Sequence, residues 1–555
     1  VWNWQINIRM QEDCMDTILY NGKIYTLDNK GTVAEAICIK GNRIAFVGKN
    51  EEALRFKDNN TKLIDLEGRM AVPGFNDSHM HLLSYGYTAT KIELNNAKSI
   101  EDLILLGKER LHSGNLKEGD WILGRGWNND YFEVNRLPTR YDLDRITTDF
   151  PICYTRVCGH ILVVNSKALE LVGIDKNSSQ IPGGRFDLDE NGEPLGIFRE
   201  NAMNIIYSAI PDPDIEGIKS MILKCSEDAV KHGITSIQTD DFEQLPKKDY
   251  DKIIKAYLEL IDEGRLKVRV YEQCLLPEVK KLKSFIEEGY NTGWGNEYFK
   301  IGPLKLLADG SLGARTAYLT EPYNDDNTTR GIPVFTQEEL DELVLTAHNA
   351  GMQVAIHGIG DGAMYMAVES IEKALRKNPR EDHRHGIVHC QITDMSLMNK
   401  FKELNLVAYV QPIFLNYDMH IVEDRVGKEK AKYTYNWKRM MDMGIHVAGG
   451  SDCPVEKFDI LPNLYSAITR KDLNGYPEDG WLPDQKLSID EALRIFTVEG
   501  AYASFEEDIK GTLEAGKLAD IAVLERNLYD VKPEEIKDIK VDLTIMDGKV
   551  VYERV

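Results

Sequence analysis

Apolar residues along this chain gather into short, nearly unbroken runs. Between the runs they recur every three or four positions. Eight runs stand out, at 71–76, 234–239, 267–273, 302–307, 353–357, 386–389, 407–411 and 445–449. Most are followed by stretches with amphipathic helical spacing, such as 337–350 and 488–496. Near-continuous apolar strands separated by helices predict a parallel sheet buried on both faces. Eight of them predict an α/β fold of the (β/α)8 TIM-barrel type. The spacing breaks once, because roughly 160 residues separate the first two runs while a crossover needs only a dozen or more. An insertion after strand 1, at about 83–212, is therefore expected.

The two ends of the chain are rich in short β-type runs. Thr17–Thr26 and Ala36–Gly48 each read as a hairpin, turning at Asn21-Gly22 and at Gly41-Asn42. Near the C-terminus, 518–524 and 542–552 read as strands, with a turn at Asp547-Gly548. Neither end has enough strands for a stable sheet of its own. The expectation is one composite β-sandwich from both termini, residues 10–70 and 508–555, bracketing a barrel at 71–507.

Composition narrows the functional classes. The 555 residues include 67 Lys+Arg and 90 Asp+Glu, a net charge of −23. Such acidity argues against a nucleic-acid or anionic-membrane partner, which basic patches recognise. With 43% hydrophobic and 28% charged residues, the chain reads as globular. No uncharged run reaches bilayer length, and Val1–Cys14 has no signal-peptide core. The first nine residues, ahead of Met10, read as an appended or upstream-start segment. The eight cysteines are scattered, and Cys153 and Cys158 lack a second pair for a zinc knuckle. Reduced thiols and a cytoplasmic location follow. A homo-oligomer is compatible with the sequence.

Barrel enzymes carry their chemistry at the C-terminal ends of the strands. Read in that way, the runs deliver His79 and His81 after the first, Lys305 at the fourth, His357 at the fifth, His389 at the sixth and Asp452 after the eighth. Imidazoles and a carboxylate suit one or two borderline divalent ions, zinc first, with Fe, Mn or Co as alternatives. In an extended His-x-His both side chains leave on one side, so both reach one ion. Lysine as an ammonium is a poor ligand. As an N6-carboxylysine, the carbamate formed with CO2, Lys305 could bridge two ions. Singly, each residue has a bland reading as a buried histidine, a cap or an ion pair; jointly, at five strand ends, they read as a metal site. His383 and His385 would point low into the barrel. His112, His232, His348, His420 and His446 lie on helices or turns away from the strand ends.

The stretch from Val72 to His81, Val-Pro-Gly-Phe-Asn-Asp-Ser-His-Met-His, resembles the signature that opens the amidohydrolase superfamily barrel. The stretch from Leu304 to Ala317 resembles amidohydrolase family 3, the branch that includes YtcJ-like proteins and N-substituted formamide deformylase. Ala355–Asp361, Gly450–Val455 and Gly511–Asp520 fit the same branch. Val388 departs from it, since relatives often carry Glu before this histidine. The resemblance covers roughly residues 16–555. It implies a metal-dependent hydrolase that cleaves the C–N bond of a small amide, an N-substituted formamide or a cyclic amide by a metal-activated water. Asp452 is then expected to move the proton. His160, Trp127, Arg315 and Gln411 are candidates for contacting substrate. Two competing readings remain at this point. A mononuclear deaminase typically has Glu three residues after the strand-5 histidine, where this chain has Gly360 followed by Asp361. A non-enzymatic regulator on a retained barrel would be expected to have lost ligands, and none is lost.

Overall fold

The computed structural model describes residues 15–114, 116–245 and 247–555. Eight strands form one parallel sheet in strict chain order: β1 (Phe75–Met80), β2 (Ile234–Thr239), β3 (Arg269–Leu275), β4 (Phe299–Leu307), β5 (Val354–Gly358), β6 (Gly386–His389), β7 (Val407–Val410) and β8 (His446–Gly449). All residues of β1, β2, β3, β6 and β7 are buried, as a sheet covered on both faces requires.

The chain after β8 folds back onto β1 and nearly closes the sheet into a barrel. Asp77 accepts from the Ser451 amide at 2.9 Å and from its hydroxyl at 2.5 Å. The Asp452 amide donates to His79 O at 2.8 Å, and the His81 amide donates to Cys453 O at 2.7 Å. Asp77 is wholly enclosed, and burial pushes its carboxyl up to about 7 against the bonds it accepts from Ser451.

The first apolar run divides into two strands. Met70–Pro73 pairs with Ile521–Leu524 and Lys23–Tyr25 in a terminal sheet, and the barrel strand starts only at Phe75. Gly74 is the joint. A Cβ there would lie 2.3 Å from Thr235 Oγ1, so only glycine lets the chain pass β2. Residues on both sides of the joint are apolar, which is why the run reads as one strand.

The termini build two sheets. A six-stranded one runs Lys549–Glu553, Val541–Met546, Ile521–Leu524, Met70–Pro73, Lys23–Tyr25, Val33–Ala34. A four-stranded one runs Arg43–Gly48, Ala36–Lys40, Thr17–Tyr20, Lys62–Asp65. Their shared core mixes Leu19, Ile37 and Ile44 with Ile521, Val523 and Ile545. The turns at Gly41-Asn42 and Asp547-Gly548 are hairpins. Asn21-Gly22 is not. It is a corner between the two sheets, because its polar groups find distant partners: Asn21 N donates to Asn50 Oδ1 (2.8 Å) and Gly22 N to Glu35 O (3.0 Å).

A second compact unit comprises Leu83–Lys224 and Leu245–Lys248. It holds a six-stranded mixed sheet in the order Gly184–Leu188, Pro194–Glu200, Ile161–Val164, Ile152–Arg156, Ile122–Trp127, Ile92–Glu93. Two apolar clusters flank this sheet. Among the described residues no helix is long and apolar enough to cross a membrane. The seven described cysteines are free, six buried and Cys158 exposed, while Cys14 and the first nine residues lie outside the described ones.

Arg269, at the start of β3, joins barrel to terminal sheets. Only 2% of its side chain is exposed, and it pairs with Asp520 (2.7 and 3.1 Å) and Asp547 (3.1 Å). Arg269→Ala leaves both carboxylates without this partner, so urea unfolding should show a loss of roughly 3–5 kcal/mol. A change under 1 kcal/mol would mean that the joint does not depend on the pair.

Candidate metal centre

Three barrel strands, β1, β4 and β6, and the turn after β8 converge on one buried cluster. His79, one residue before the end of β1, has 1% of its side chain exposed, and His81 follows the strand at 21%. Ligand atoms of His79, His81 and Asp452 all lie within 4.8 Å of one another. Asp452 Oδ1 is 3.3 Å from His79 Nε2 and 3.0 Å from His81 Nε2. Lys305, fully buried on β4, places Nζ 3.2 Å from His79 Nε2. His389, at the end of β6, packs its ring edge-on 5.5 Å from that of His79.

The hydrogen bonds select the free nitrogens. His79 Nδ1 faces Gln273 Oε1 at 2.9 Å, and the Gln273 amide is oriented by its own bond to Ser78 O at 3.1 Å. A carbonyl oxygen only accepts, so Nδ1 carries the proton and Nε2 presents a lone pair. That lone pair points at a carboxylate oxygen. His81 repeats the arrangement, with Nδ1 bonded to Asp240 Oδ1 and Nε2 facing Asp452. The Lys305 ammonium, 3.2 Å from His79 Nε2, supplies positive charge beside these groups, and the donor set of imidazoles and a carboxylate is the one a borderline divalent ion takes.

The electrostatics follow the same geometry. Burial would lower His81, but the charges and bonds of Asp240 and Asp452 raise it to about 10. Burial lowers His79, aided by the Lys305 charge, and holds His389 well below the imidazole range, aided by His357. Burial would lift Asp452, yet the imidazoles of His79, His81 and His389 around it take it well below the carboxylate range. The aspartate is therefore ionised and able to bind a cation.

His357 lies beside this group. Its ring is 4.4 Å from that of His389, but Nε2 faces Gly310 O (3.2 Å) and Asp309 Oδ1 (3.3 Å). Asp309 in turn accepts from the amides of Tyr318, Ile359 and Gly360, stapling the turn after β4 to the turn after β5. Gln411, just beyond β7, places Oε1 2.8 Å from His389 Nδ1, which makes it a partner of a candidate ligand. Arg315 is tied to Asp325 at 2.9 and 3.2 Å. In the second unit, Trp127 is completely buried and its indole donates to Tyr154 O at 3.0 Å, the packing of a core residue. His160, its side chain 69% exposed, bonds Glu200 at 3.0 Å.

Two residues of the cluster escaped the sequence reading. Asp240, immediately after β2, contacts His81 and lies 3.3 Å from Lys305 Nζ. Gln273, on β3, holds His79. Both sit at strand ends, so the rule that found His389 applied to them as well. Gln273 is not a residue type that announces a ligand, whereas Asp240 is a carboxylate at a strand end and the same rule could have found it.

The chain matches the amidohydrolase family over residues 62–552, and it belongs to that family, in its family 3 branch. YtcJ of Bacillus subtilis, whose name assigns it as an amidohydrolase without a substrate, is 32% identical over 97% of this chain and all of its own. N-substituted formamide deformylase of Arthrobacter pascens is 24% identical over 97% of this chain and 98% of its own. An uncharacterized metal-dependent hydrolase from Pyrococcus furiosus superposes with a TM-score of 0.76 at 30% identity, covering 93% of this chain and 99% of that one. A metal-dependent hydrolase is the coarse activity these relations support.

Three histidines near the start of β6 serve the scaffold. His348 Nε2 donates to Asn378 O (2.6 Å), His385 Nε2 to His348 Nδ1 (2.9 Å) and His383 Nε2 to Leu404 O (2.9 Å). The Val354 amide donates to His385 Nδ1 and the His385 amide to His383 Nδ1. Every ring is thereby fixed as neutral. Burial lowers all three, His383 to about 4. A depressed folded value means the unfolded chain binds protons first. The stability these rings contribute is complete above about pH 6.5 and is lost as the pH falls, for His383 by about 1.4 kcal/mol per unit down to about pH 4. In chelator-treated protein, His383→Gln should shrink the drop in unfolding midpoint between pH 7.5 and 5. An unchanged drop would remove His383 from the account.

Proposed function

We propose that this chain hydrolyses the carbon–nitrogen bond of a small amide, with an N-substituted formamide, an N-acyl amine or a cyclic amide as the substrate class. The observation that carries the reading is the convergence of His79, His81 and Asp452 under two imidazole clamps, with Lys305 and His389 alongside. One or two divalent ions, zinc first, would be held by His79, His81, His389 and Asp452, with Lys305 and His357 for a second. Such an ion supplies Lewis acidity and a water ionised near neutral pH. The formamide deformylase relative supports the substrate class.

In this reading the barrel strands β1 to β8 and the turns that follow them carry the chemistry. Asp452 accepts the proton of the attacking water and returns it to the leaving nitrogen. Its place against the His81 and His79 imidazoles, at 3.0 and 3.3 Å, keeps it ionised and orients it for that transfer. Gln411 Nε2, buried without a partner, is a donor available to a substrate oxygen. The deaminase alternative is weakened at Asp361, whose carboxylate is engaged by Thr320 and, at 2.7 Å, by Lys430.

Chelator-stripped protein should lose hydrolysis of a panel of N-substituted formamides, N-acyl amines and cyclic amides, and Zn, Co or Mn should restore it. Full activity without metal, or none with it, would end the proposal. Asp452→Asn should lower kcat by roughly 10²- to 10⁴-fold with little change in KM. For Lys305, the expectation is a carbamate: dialysis against CO2-free buffer should reduce the second equivalent of bound metal, and bicarbonate should return it. Unchanged metal content would leave Lys305 as an ammonium paired with Asp240.

A further inference from the structure

Two glutamines outside the candidate ligand set make matching contacts to it. Gln273 on β3 and Gln411 after β7 each aim a side-chain carbonyl at the Nδ1 of a histidine, His79 at 2.9 Å and His389 at 2.8 Å. Both glutamines are buried, Gln273 completely. β3 and β7 lie on opposite sides of the eight-stranded order, four strands apart. Each histidine is thus approached from a different wall.

The height of both glutamines is fixed from below. Side chains two apart on a strand share a face. Tyr271 therefore stands directly beneath Gln273, and Tyr409 beneath Gln411. Both tyrosines bind one residue, Gln353: Tyr271 OH donates to Gln353 Oε1 (3.0 Å), and Gln353 Nε2 donates to Tyr409 OH (3.3 Å). Gln353 Nε2 also donates to Arg384 O (2.6 Å) and Ala503 O (3.0 Å). The two Nε2 protons of Gln353 are shared among these three acceptors, and this polar layer spans the barrel and sets two strands, hence two clamps, at one level. Nothing in packing alone requires an amide above each tyrosine.

We infer that Gln273 and Gln411 are positioning residues that select the Nε2-presenting tautomer of His79 and His389 and so prepare the site for its cation. The inference rests on the metal-site reading above. The clamp on His81 is a carboxylate, Asp240, whereas these two are neutral. A neutral acceptor fixes the tautomer without adding negative charge around the site, which keeps the bound cation more electrophilic than three carboxylate clamps would.

The test is metal affinity, measured by chelator competition on full-length protein, with apoprotein unfolding followed in parallel. Gln273→Leu and Gln411→Leu should weaken binding by about 10- to 100-fold. Gln273→Asn and Gln411→Asn stay polar, but the oxygen is withdrawn by about 1.5 Å, and should show the same loss if the leucine variants do not fold. Gln411→Glu is decisive, because Gln411 Nε2 has no partner to lose, whereas a carboxylate at 273 would face Ser78 O. A carboxylate only accepts, so at 411 it preserves the bond if the imidazole donates, and affinity should equal or exceed that of the parent. Affinity within twofold of the parent in the leucine and asparagine variants, or a loss in Gln411→Glu equal to that of Gln411→Leu, would overturn the inference. A parent that binds no metal would instead overturn the proposed function on which it rests.

Discussion

The candidate site depends on the closure of β8 onto β1. Asp77, inside β1, takes both the amide and the hydroxyl of Ser451 in the turn after β8, and backbone bonds from Asp452 to His79 and from His81 to Cys453 complete the seam. Residues more than 370 positions apart thereby become neighbours, which is what sets Asp452 against the two imidazoles. The seam is dry, and it costs a buried carboxylate whose ionisation burial opposes. The positioning of a ligand and the closing of the barrel are one structural act here.

The layers beneath that seam explain how the cluster is held. Arg269 at the bottom of β3 locks the barrel to the terminal sheets, Tyr271 joins the Gln353 layer, and Gln273 reaches His79. One face of a single strand therefore runs from a structural ion pair to a positioning contact in three alternate residues. The same alternation gives Tyr409 on β7 and Gln411 just beyond it. A site of opposed lone pairs and charges is unfavourable unless its members are held in place, and these vertical series hold them.

Much of this was legible in the sequence because the barrel writes its strands as uninterrupted apolar runs and its chemistry at their ends. The eight runs, the terminal strands and the residues His79, His81, Lys305, His389 and Asp452 follow from that. Three features did not. The run at 71–76 hides a change of sheet at Gly74, since both halves are apolar for different cores. Asn21-Gly22 has the local preference of a hairpin, but long-range bonds to Asn50 and Glu35 turn it into a corner. Asp240 and Gln273 act through other residues, and a partner of a ligand leaves no spacing signature. Trp127 illustrates the reverse error, a residue marked for function by its motif and used by the fold as core.

The most direct test of the account is anomalous diffraction from crystals grown with zinc, recorded on both sides of the metal absorption edge. The account predicts a peak bounded by His79 Nε2, His81 Nε2 and Asp452, at roughly 2.0–2.2 Å from each ligand atom. Zinc-replete crystals that show no peak there, with the His79 and His81 nitrogens still turned to Asp452, would contradict it.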